Sequence, residues 1–150
     1  MLFNTPISAL VRRPIIRIQA ETSLGEAVVL LRQDFTRCLV VMRDDEVIGL
    51  FTDRDVVEKC FTSAVNADTP VSHVMDSPLQ TVSPNTSIVD ALHLMDHERI
   101  RHLPLVEDDG TFRGLIRGRD LIEYIGEAMP EAVLNQPPAP AKPLQEREGA

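Results

Sequence analysis

The chain has 150 residues, 43% hydrophobic and 25% charged, which suits a soluble globular protein of one domain or two small repeats. A net charge of −8 works against general binding to nucleic acid, and with no Trp and one Tyr there is little to build a stacking platform for single strands. Two cysteines without C-x-x-C spacing, no run near the ~20 apolar residues of a membrane span, and no basic region ahead of the apolar N-terminus suggest reduced thiols, a cytoplasmic location and no membrane contact.

Taken in chain order, the elements repeat. Ile15–Ile18 is a β-branched run after Pro14 and reads as a strand. Ser23-Leu-Gly-Glu26 is a capping box, and Leu24, Ala27, Val28, Leu31 and Phe35 form the apolar stripe of a helix. Cys38–Met42 is a continuous apolar run, a strand buried on both faces. Asp44-Asp45-Glu46 is a turn into the strand Val47–Phe51, close enough for an antiparallel hairpin, and a second helix follows over Asp53–Cys60. Shifted by 64, the same order returns: Ser8 meets Ser72, Thr22-Ser23 meets Thr86-Ser87, and Leu39 meets Leu103. One extra residue enters at the second turn, after which Gly49-Leu50 meets Gly114-Leu115 and Arg54-Asp55 meets Arg119-Asp120. The second copy therefore predicts strands over Leu79–Val82, Leu103–Val106 and Phe112–Ile116, and helices over Ser87–Glu98 and Arg119–Tyr124.

The expected fold is α/β in the α+β sense: two βαββα repeats, 7–60 and 71–125, packed about a pseudo-twofold axis and joined by a connector over 61–70. Five of the eleven prolines fall in 130–150, which predicts a disordered, proline-rich tail.

Gly49-Leu-Phe-Thr-Asp-Arg-Asp-Val56 and Gly114-Leu-Ile-Arg-Gly-Arg-Asp-Leu121, with Arg99-Ile-Arg-His-Leu-Pro-Leu-Val106 and Pro78-Leu-Gln-Thr-Val-Ser-Pro84, resemble the CBS-domain family, and the two copies resemble its tandem pair, the Bateman module. The resemblance covers residues 7–125. It implies a regulatory module that senses an adenosine-containing ligand (AMP, ADP, ATP or S-adenosylmethionine) in clefts between the repeats. It also implies a homodimer and a separate regulated protein as partners. No cofactor is required; the ligand is an adenine nucleotide, alone or with magnesium. On this resemblance Ile15, Ile16, Leu79 and Gln80 line the adenine slots, Asp55 and Asp120 hold ribose hydroxyls, and Thr52 adds a hydroxyl at the phosphate end. Arg37, Arg101, His102, Pro104, Arg117 and Arg119 complete the candidate set. Arg117 stands where the first copy has Thr52 and offers a planar fork for a di- or triphosphate.

Other readings of the same residues stand beside these. Thr52-Asp53-Arg54-Asp55 also fits a plain helix cap, and Arg12, Arg13 and Arg17 fit surface charge. His93 and His97 are four apart, but Arg101 stands where a further histidine ligand would be, so they read as a solvated helix face. No nucleophile elbow or Walker-type loop occurs, so an enzyme is not expected. The alternative to a ligand sensor is a homodimerisation or interaction scaffold whose clefts hold nothing.

Overall fold

The computed structural model describes residues 4–11, 14–34, 37–77 and 80–128. Arg12, Arg13, Phe35, Leu79 and the proline-rich tail lie outside them. A 3-10 turn at Ile7–Leu10 leads to β1 (Arg17–Gln19), α1 (Leu24–Gln33), β2 (Cys38–Arg43), β3 (Glu46–Thr52) and α2 (Asp53–Lys59). A second 3-10 turn at Val71–His73 leads to α3 (Ile88–Glu98), β4 (His102–Val106), β5 (Phe112–Arg117) and α4 (Gly118–Ala128). α1 and α3 start where the serines predict: Ser23 Oγ accepts the Glu26 N–H at 3.3 Å, and Ser87 Oγ accepts that of Asp90 at 3.1 Å.

In the first copy β1 runs parallel to β2, and β2 runs antiparallel to β3. Side chains alternate across β2, so one strand feeds two cores. Leu39 and Val41, with Ile18 and Phe51, pack on α1. Cys38, Val40 and Met42, with Leu50, face Phe112 and Leu115 of the second copy. The two sheets therefore meet face to face. The second copy has its own core of Leu103, Leu105 and Ile116 against α3 and Leu121. Leu121 of α4 is buried and adds nothing to an exposed apolar face, whereas Val57 on α2 and Ile122 on α4 are exposed.

β1 starts two residues later than predicted. The Ile16 carbonyl still joins the ladder by accepting the Val40 N–H at 3.0 Å, while Ile15 packs between the sheets. Of the predicted strand over Leu79–Val82, Leu79 lies outside the described residues, and among the described ones the pairing is a single bridge, Val82 beside Leu105. The residue equivalent to Val40 explains it. That residue is Pro104, which has no N–H to give to the carbonyl of Gln80, the counterpart of Ile16. Only the bonds on either side of Val82 survive, to Pro104 at 3.1 Å and from Val106 at 2.9 Å.

The lead-in segments are exchanged between copies. Ile7 and Leu10 belong to the core of the second copy, and Val71 and Val74 to that of the first. The exchange is reciprocal: the Ile7 N–H donates to the Thr86 carbonyl at 2.7 Å, and the Val71 N–H to the Thr22 carbonyl at 2.8 Å. Each crossing passes over a motif glycine. A Cβ on Gly49 would run into Met75, and one on Gly114 would lie 2.9 Å from Val11 Cγ1. The glycines of the two repeated motifs are thus sites of close approach.

Candidate functional site

Each copy ends its hairpin at the start of a helix, and a carboxylate three residues on turns back. In the first, Asp55 Oδ2 accepts the Thr52 N–H at 2.9 Å and the Thr52 hydroxyl at 3.2 Å, the acidic half of a capping box. Its Oδ1 meets Lys59 Nζ at 2.9 Å. In the second, Asp120 Oδ2 accepts the Arg117 N–H at 2.8 Å and Arg117 Nε at 3.3 Å. Asp55, Arg117 and Asp120 are the charged side chains buried among the described residues. Asp55 thus forms the helix cap that the sequence offered as its other reading; the sequence did not show that Asp120 would bond to its own helix start in the same way, or that the Arg117 fork would fold inward to 5% exposure.

Strand pairing assembles the rest. Thr52 lies opposite Cys38, and Arg117 opposite His102. The two strand ends also sense each other across the sheets, because the Arg117 charge acts on Cys38 and the Asp53 charge on His102. Burial, with Asp34 nearby, pushes the Cys38 thiol up to about 12, so it stays protonated and inert. Burial, aided by Arg117, holds the His102 imidazolium below its ordinary range, so the ring is neutral at pH 7.

The other predicted residues spread around this end. Pro104 is buried on the same strand face as His102. Ile15 and Ile16 are half-buried beside the sheets, and Gln80 is exposed on the loosened lead-in of the second copy. Arg37 and Arg101 are exposed, and Arg119 turns along its own helix towards Glu123 at 3.6 Å. Arg17 is exposed but more than surface charge: its guanidinium sits 4.8 Å from the centroid of the Phe112 ring. A cavity of about 580 Å³ opens at the other end of the strands, between the hairpin turns, lined by Arg17, Asp44, Glu46, Asp109 and Phe112 among others. None of the predicted site residues that the structure describes lines it. Among the described residues no group of three or more His, Cys, Asp or Glu is placed to hold a metal, and no helix is long and apolar enough to cross a membrane.

A family model described as CBS domain matches residues 7–61 and again 71–127. The CBS domain-containing protein YhcV of Bacillus subtilis is 32% identical over 104 residues, covering 69% of this chain and 74% of its own length. A solved structure of an uncharacterized conserved protein from Pyrococcus horikoshii superposes with a TM-score of 0.72 at 30% identity, covering 82% of this chain and 93% of that one. An inosine-5'-monophosphate dehydrogenase of Thermoplasma acidophilum is 32% identical over 110 residues, which are 73% of this chain but only 21% of that enzyme.

Proposed function

The chain belongs to the CBS-domain family and carries the domain twice, and on that premise we propose that it is a regulatory, non-catalytic module of the cytoplasm that binds an adenosine-containing ligand between its repeats. The observation that carries this reading is the pair of equivalent buried carboxylates. Asp55 and Asp120 stand at the same place in each copy, in the first turn of the helix that follows the hairpin, each bonded to the start of its own helix. A carboxylate held in this way is positioned before a ligand arrives, so accepting vicinal hydroxyls requires little further ordering of its side chain. The match to a segment of an enzyme named for inosine 5'-monophosphate agrees with a module carried by nucleotide-handling proteins. The partners on this reading are the adenosyl ligand, a second copy of the chain and a separate regulated protein.

The test is a thermal-shift series with adenosine, AMP, ATP and S-adenosylmethionine, each with and without magnesium. A ligand at 100 times its dissociation constant stabilises by about 2.7 kcal/mol. A flat series across all four removes the reading. A second reading, an interaction scaffold with unused clefts, is favoured by the exposure of Val57, Phe61 and Ile122 at 71%, 83% and 74%. The same flat series, with a stable dimer, would establish it.

A further inference from the structure

Arg117 is the point at which the two copies differ most in chemistry. Its Nε is spent on Asp120, and its backbone N–H on the same oxygen. Its Nη1 is buried and has no hydrogen-bond partner among the described residues. A guanidinium carries its donors in one plane, so the bond at Nε fixes the direction of the edge that remains. Arg117 immediately precedes α4, an 11-residue helix whose first residue, Gly118, gives its N–H to the Arg101 carbonyl at 3.0 Å. The backbone beside it is open: a Cβ built on Gly118, the first residue of α4, would meet nothing within 4 Å. The facing residue across the hairpin, His102, is held neutral and so does not supply a second fixed cation. In the first copy the corresponding residue is Thr52, whose hydroxyl is turned onto Asp55, and the cation on that carboxylate is the partly exposed Lys59.

We propose that Arg117, aimed by Asp120, is a phosphoryl-binding group confined to the second cleft, so that this cleft takes a phosphorylated adenosine ligand while the cleft at Thr52 and Asp55 does not discriminate by phosphate. The inference rests on the adenosine reading above and makes the two clefts unequal. One residue pair does two tasks in the second cleft: Asp120 accepts the ribose hydroxyls through Oδ1 and orients the cation through Oδ2. A charged donor buried without an acceptor is costly, and a phosphate oxygen relieves that cost as a charge-assisted bond.

The experiment is calorimetric titration of the full chain with ADP, adenosine and inorganic pyrophosphate, on the wild type, Arg117→Thr and Arg117→Lys. Threonine restores the residue found at this place in the first copy. Lysine keeps the charge and loses the planar fork. In the wild type ADP should bind at least tenfold tighter than adenosine. Arg117→Thr should reduce that ratio below threefold and leave adenosine affinity within threefold; Arg117→Lys should fall between. An ADP-to-adenosine ratio unchanged in both variants, with their melting transitions intact, overturns the inference and leaves the adenosine reading standing. If neither ADP nor adenosine binds the wild type, the adenosine reading fails instead. The phosphoryl site is then decided by pyrophosphate, which must raise the melting temperature of the wild type and not of Arg117→Thr; an equal response, or none, overturns it.

Discussion

Asp55 and Asp120 occupy the same place in the two repeats, yet their removal should cost different amounts. Taking away Asp120 leaves the Arg117 cation buried without its counter-charge, and both side chains are more than nine-tenths buried. Breaking a pair of that kind costs about 3–5 kcal/mol. Taking away Asp55 removes a helix cap and frees Lys59, which is 39% exposed and can turn to water; about 1 kcal/mol is expected. Urea denaturation of Asp120→Ala and Asp55→Ala should therefore show the larger loss for Asp120, and equal losses would mean that the inward fold of Arg117 is not held by its charge. His102 supplies a second prediction at this scale. Its folded-state pKa lies below the unfolded value of 6.5, so the unfolded chain takes the proton first as pH falls. The associated stability is complete above about 6.5 and is lost as pH drops from there through the lowered folded value. The melting temperature should decline across that window, ahead of carboxylate titration, and His102→Asn should remove the step. A decline of the same size in the variant would assign it to other groups.

At the level of elements, much of this chain was readable because the periodicities were clean. The continuous run at Cys38–Met42 could only be a strand covered on both sides, and it lies between two cores. Ser23 and Ser87 marked their helix starts because a hydroxyl before an apolar stripe has a partner in the next turn. The shortened strand near Gln80 was also written in the sequence, at Pro104, but its effect falls on a neighbour 24 positions away and shows only once Val40 and Pro104 are known to be equivalent. The exchange of lead-in segments was not legible, because Ile7 and Val71 are apolar whichever core they enter. Its trace is the motif glycine, and this can be tested. Gly114→Ala would press on Val11, which is branched and stiff, whereas Gly49→Ala meets the flexible thioether of Met75. Gly114→Ala should cost about 1–3 kcal/mol, Gly49→Ala less, and Val11→Ala should recover part of the Gly114→Ala loss. Gly126→Ala, in open space on α4, should instead stabilise by about 0.5–1 kcal/mol. Calorimetric melting of these four variants and of the Gly114→Ala, Val11→Ala double variant decides it: additive losses at Gly114 and Val11 would mean that the two do not press on each other.

For the whole molecule, the doubling of the chain doubles its surface as well. Val57 on α2 and Ile122 on α4 are the same position in the two copies, and they are 71% and 74% exposed, with Phe61 just beyond α2 at 83%. Internal burial does not explain them: the neighbouring positions Val56 and Leu121 already turn inward, the latter to 3% exposure. Repeated exposure of an apolar residue at equivalent places gives a surface that can be self-complementary, which is what a closed twofold dimer requires. The expected outcome is a dimer by light scattering, with a melting temperature that rises with protein concentration. Val57→Asp combined with Ile122→Asp should give a monomer whose melting temperature no longer depends on concentration. Its intrinsic stability should change by only about 0.5 kcal/mol, because neither side chain packs inside its own copy. A wild type that stays monomeric at every concentration sinks the dimer. A double variant that still dimerises places the interface elsewhere.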